Sequence, residues 1–163
     1  MRAKWLLSGL ALAAAALGAG ASLGAPAWDA VPLGIPSSRI KAIFPGARAH
    51  ELGLVLRHRS FAGHEVSVVF DIQAGALASI DVHFTEARRL TFKEDEDLLS
   101  RITDSLAQRY GPGDCGDHSG DVWIEYGCRW VAGDRRIYAR VSGSDIARGP
   151  FDVVVSFAGR EEP

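Results

Sequence analysis

Cys115 and Cys128 are the only two cysteines in the chain and stand thirteen positions apart. Two thiols can bridge, trade electrons or hold zinc, and the last two chemistries favour a Cys-x-x-Cys pair that is missing here. A structural disulfide is therefore the expectation. It would close a loop of about 14 residues and contribute roughly 3 kcal/mol by restricting the unfolded chain. The five histidines, His50, His58, His64, His83 and His118, form neither His-x-His nor His-Glu-x-x-His. Asp81 and His83 are two positions apart, so on a strand they project to the same side. That arrangement permits a metal or a small envelope enzyme on the Asp81/His83 face, and it is carried as the alternative reading. Residues 114–121 offer oxygen ligands but lack the spacing of a calcium-binding EF-hand, and read as a polar loop around Cys115.

Catalysis finds little to work with. There is no Gly-x-Ser-x-Gly elbow, and the Ser142-Gly143-Ser144-Asp145 run reads as a loop between strands. Asp71, Asp81, Glu125 and Asp152 fall on predicted strands and could act as an acid–base pair, although spacing in sequence does not bring any two together. No catalytic, cofactor-binding or metal-binding residue is assigned, and no cofactor is expected. Aromatic residues are more suggestive. Trp123, Tyr126, Trp130 and Tyr138 crowd one predicted hairpin, and Trp and Tyr are enriched where proteins meet partners. Alternation sends Val122, Ile124, Tyr126, Cys128 and Trp130 inward. It sends Trp123, Glu125 and Arg129 outward, and these three are the candidate partner-binding residues.

The elements that would position these side chains follow from periodicity. Residues 28–36 hold two prolines and a glycine and read as extended or looped. Ser37 or Ser38 then suggests an N-cap for a short helix with Ile40, Ile43 and Phe44 on one side, stopped by Pro45-Gly46. Three strands are predicted over 52–60, 65–72 and 77–84, separated by Ala-Gly turns. Thr91 and Glu94 make a capping box for a second helix. Its stripe is Leu98, Leu99, Ile102, Leu106 and Tyr110, and Gly111-Pro112-Gly113 ends it. Three more strands follow, over 122–131, 136–141 and 151–157. The expectation is an α+β domain, an antiparallel sheet of about six strands with two helices on one face, in the order αβββ-αβββ. Both helices end in an aromatic residue near Pro-Gly, which suggests an internal duplication.

The N-terminus sets the compartment. Arg2 and Lys4 precede an uncharged, Leu- and Ala-rich run over 5–17, followed by small residues suited to signal peptidase. Residues 1–27 read as a signal peptide cleaved between 21 and 27, leaving 28–163 as one domain without a further membrane span. The alternative is an uncleaved anchor, since 5–27 is long enough to cross a bilayer. A periplasmic or secreted location agrees with a cystine. The charge balance, 18 Lys and Arg against 20 Asp and Glu, becomes more acidic once Arg2 and Lys4 are removed and speaks against a nucleic-acid partner.

The sequence Pro32-Leu33-Gly34-Ile35-Pro36 precedes the first helix and meander. The second helix ends in Gln108-Arg109-Tyr110-Gly111-Pro112 before a Trp-bearing strand. This layout resembles small exported bacterial proteins of unknown function. It is similar to the fold shared by β-lactamase-inhibitor-type proteins and the small assembly-factor lipoproteins of the outer membrane. It departs from them in lacking a lipid-anchor cysteine and a recognisable inhibitor loop. The resemblance implies fold, compartment and a lean toward protein binding, and carries over no site residue. The functional expectation is an exported, non-enzymatic module that binds a protein or envelope component through an exposed sheet face. Ligand identity and oligomeric state carry no sequence signal.

Overall fold

Period-two alternation of β-branched and aromatic residues recurs along the chain, and strands take up most of the described residues. A computed structural model describes residues 27–87, 92–117, 124–143 and 151–159. Strand β1 (Arg48–His50) leads into β2 (Gly53–Phe61), β3 (His64–Gln73) and β4 (Ala76–Phe84). After helix α2 (Phe92–Tyr110) come β5 (Asp114–Asp117), β6 (Ile124–Ala132), β7 (Arg135–Gly143) and β8 (Phe151–Gly159). They form a single sheet of eight strands in the order β1-β2-β3-β4-β8-β7-β6-β5, with every neighbouring pair antiparallel. The sheet is thus two four-stranded meanders joined by their last strands, β4 and β8.

This corrects the expected architecture. The sheet has eight strands, not six, and the order is αββββ-αββββ. The two unforeseen strands, β1 and β5, are three and four residues long and lie at the two edges. Short polar strands blunt an edge against unwanted pairing, and they carry no apolar alternation to read. Residues 114–117, expected as loop, pair with β6 so that Cys115 stands directly opposite Cys128. The two form the disulfide.

The turns inside the first meander have a clear cause. Ala62-Gly63 and Ala74-Gly75 are two-residue loops, bounded by the pairs Phe61↔His64 and Gln73↔Ala76. All four residues have positive φ, between 50° and 84°, which matches the twist of a tight hairpin.

Helix α1 (Ser37–Ile43) starts after Pro36, which supplies no side-chain cap, so neither Ser37 nor Ser38 has the expected capping role. A single 3-10 turn, Trp28–Ala30, occupies part of the segment expected to be extended. Helix α2 (Phe92–Tyr110) packs chiefly on β7, then on β6 and β8. Thr91, half of the predicted capping box, lies outside the described residues. Both helices contribute to one core: Ile40 and Phe44 from α1, and Leu98, Leu99, Ile102 and Leu106 from α2. They meet the inward residues of the sheet, such as Val68, Phe70, Val82, Ile137 and Val155. Phe44 stacks on Phe70 at 5.4 Å, and Trp28 makes edge contacts with Phe61 and Phe157. Asp29 is buried beneath this cluster. Its carboxylate pairs with Arg109 near the end of α2, and Arg135 at the start of β7 donates to the carbonyls of Asp29 and Val31.

Candidate functional site

Helices cover one face of the sheet, and the register specifies what the other face carries. Reading across from β6, one row is Arg129, Tyr138, Ser156, Asp81, Val69 and Val55. The next is Gly127, Arg140, Val154, His83 and Ser67. Glu125 lies beyond Gly127 on the same side of β6, paired with Ser142. Sequence alternation therefore assigned Glu125 and Arg129 to the correct face, and Trp130, its indole N–H donating to the Gly111 carbonyl at 2.9 Å, to the buried one. Trp123 lies outside the described residues. Tyr126 shares a face with Cys128 but is 40% exposed, because it stands near the sheet edge beside the shallow groove between α2 and β5.

Around Tyr138 the outer face is built in detail. Its hydroxyl donates to the Glu125 carboxylate, and Arg140 donates to the second oxygen of that group at 3.3 Å. The Arg129 and Arg140 guanidiniums lie over the ring, 5.1 and 5.9 Å from its centre, within cation–π range. Gly127 is what allows the ring to lie flat on the strand. A Cβ there would come within 2.6 Å of the tyrosine ring and 2.7 Å of the Ala139 carbonyl. Burial pushes the Tyr138 hydroxyl pKa up, the Glu125 hydrogen bond and charge push it further, and Arg129 opposes them. Glu125, expected as an exposed contact, is only 7% exposed. It points to the expected side, but Tyr138 and Arg140 stand over it, so its role is to fix those two side chains. Arg129 is exposed. Tyr138 and Arg140 were not among the predicted contact residues. The signal available was the i, i+2 run Arg136, Tyr138, Arg140 opposite Arg129 and Glu125, and it becomes legible only with the β6–β7 register.

The Asp81/His83 face has a different character. Asp81 accepts a hydrogen bond from Ser79 at 3.4 Å. His83 lines an open groove of about 560 Å³ with His50, Arg57, His58 and Glu65 around the apolar Val55 and Val69. His58 pairs with Glu65 at 2.9 Å. Among the described residues no three His, Cys, Asp or Glu side chains come together as metal ligands. The thiols are committed to the cystine, so they offer no nucleophile. Asp95, on the helix-covered side, is fully buried with neither oxygen hydrogen-bonded among the described residues.

No family model, curated protein or solved structure matches this chain. Among the described residues no helix is long and apolar enough to cross a membrane.

Proposed function

We propose that the protein is an exported, non-enzymatic binding module, and that the face over β6, β7 and β8 opposite α2 is its contact surface for a protein or envelope component. The observation that carries this reading is the Arg129–Tyr138–Arg140 stack pinned by buried Glu125. Interfaces draw their affinity from large, rigid side chains with polar handles, tyrosine and arginine foremost. A tyrosine held by a carboxylate and flanked by two guanidiniums has already lost most of its rotamer freedom. A partner docking on it therefore costs less ordering entropy than it would on a mobile side chain. Export agrees with the basic and apolar start of the sequence and with the Cys115–Cys128 cystine.

The test is site-specific photo-crosslinking in cells. A photoreactive residue replacing Arg129 should capture a defined protein adduct. The same residue replacing Arg101, exposed on α2, should not. Equal capture at both positions, or none at Arg129, removes the face from consideration.

A further inference from the structure

We propose that the seam between β7 and β8 on the face opposite α2 is the interface of a two-fold symmetric dimer of this chain, with Arg129 of each copy set against Asp81 of the other. The proposal rests on the reading of that face as the contact surface and names its occupant, a second copy.

Outward on β7 stand Arg136, Tyr138, Arg140 and Ser142, and directly across the seam on β8 stand Ala158, Ser156, Val154 and Asp152. Along the first three pairs one side of the line is a ridge of long side chains and the other a furrow of short ones; at the fourth the heights reverse, which still sets long opposite short when the two sides are exchanged. The charges are arranged about the same line. Along one transverse row the order is Arg129, Tyr138, Ser156, Asp81, so the guanidinium and the carboxylate each stand one strand beyond the seam, on opposite sides.

A two-fold axis lying along the seam, between two facing sheets, exchanges β7 with β8 and β6 with β4. The ridge of each copy then enters the furrow of the other, Tyr138 falls over Ser156, and Arg129 falls over Asp81. Each of these contacts occurs twice, as an isologous interface requires. Facing sheets pack about 10 Å apart, a gap that long residues opposite short ones fill and long opposite long do not. A partner of unrelated structure would not need height and charge both inverted across one line, whereas a second copy does. The four strands β4, β8, β7 and β6 are nine residues each. At ordinary strand spacings they present roughly 600 Å² per copy, somewhat below the ~800 Å² per partner of a standard interface. The dimer is therefore expected to be reversible and concentration-dependent.

Sedimentation equilibrium on the purified protein tests this. The wild type should self-associate, and more weakly as salt screens the Arg129–Asp81 pairs. Arg129→Glu places acid at both ends of the row and Asp81→Arg places base at both ends. Each variant alone should associate at least tenfold more weakly, and an equimolar mixture should recover a one-to-one heterodimer. A wild type that stays monomeric overturns the proposal, as do variants that associate as tightly as the wild type or a mixture that fails to recover. Should either variant misfold, a photoreactive residue replacing Ser156 in the otherwise unaltered chain decides. Crosslinking to the Tyr138 peptide of a second copy supports the dimer. Adducts with only a different protein exclude the dimer and leave the face a binding surface, and no adduct at all removes both.

Discussion

Asp95 occupies a place on α2 that the stripe Leu98, Leu99, Ile102 and Leu106 would assign to an aliphatic side chain. Burial raises its carboxyl pKa from 3.8 to about 6, with the negative charges of Glu94 and Asp152 adding to the shift. An acid whose pKa is higher in the folded state binds its proton more tightly there than in the unfolded chain. Below pH 3.8 both states are mostly protonated and the ionisation penalty is absent. Between 3.8 and about 6 the unfolded chain ionises first and stability falls, and above that the penalty is constant. The full shift corresponds to roughly 3 kcal/mol at most, and the positive field near a helix N-terminus acts against it. Asp95→Asn should therefore gain stability relative to wild type across this window, with the difference, followed by urea melts at several pH values, growing until about pH 6. A difference that is flat with pH would show that this carboxyl titrates like an exposed one. Glu125 is buried as well, and its side of the sheet was legible from alternation while its burial was not. Parity gives the face a side chain points to. The height of Tyr138 and Arg140 beside it depends on which strand pairs with which.

At the scale of elements, the long strands and both helices could be read because each repeats its apolar residues at a period over several turns or pleats. Strands β1 and β5 could not, since Arg-Ala-His and Asp-Cys-Gly-Asp repeat nothing. What specifies β5 is its partner, through the Cys115–Cys128 pair and the register with β6. The two Ala-Gly turns were legible as turns, but their geometry makes a demand that the sequence meets only in part. Ala62 and Ala74 sit at φ 51° and 50°, a region that costs an L-residue with a Cβ about 1–2 kcal/mol and that asparagine tolerates better. Ala74→Asn should raise the thermal midpoint, by several tenths to 1 kcal/mol of stability, and the same change at Ala62 should add to it, because the turns lie at opposite ends of β3. Loss of stability on either change would mean that the alanine methyl makes a contact worth more than the backbone strain.

Among the described residues the molecule is two meanders that meet at one strand pair, the second with the long helix α2 packed on it and the first with the short α1. Besides the β4–β8 ladder, the first half is tied to the second through its N-terminal segment, where Asp29 is held by Arg109 and its carbonyl by Arg135. The two members of that ion pair are in unlike surroundings. The Asp29 side chain is 6% exposed and that of Arg109 is 55% exposed. Breaking a buried pair is expensive mainly through the charge left behind without water or a partner, about 3–5 kcal/mol where that charge is deeply buried. Removing the arginine strands a carboxylate in the core. Removing the carboxylate leaves a guanidinium that can turn to solvent. Arg109→Met, which keeps the apolar stem, should therefore lower the urea midpoint by more than Asp29→Asn does, even though both delete the same contact. The unfolding slope should stay that of a single transition, since each variant loosens the joint between halves without removing the β4–β8 ladder. Equal losses, or a larger loss at Asp29, would show that the segment is held by Trp28 against Phe61 and Phe157 and by the Arg135 hydrogen bonds, with the ion pair contributing little to the joint.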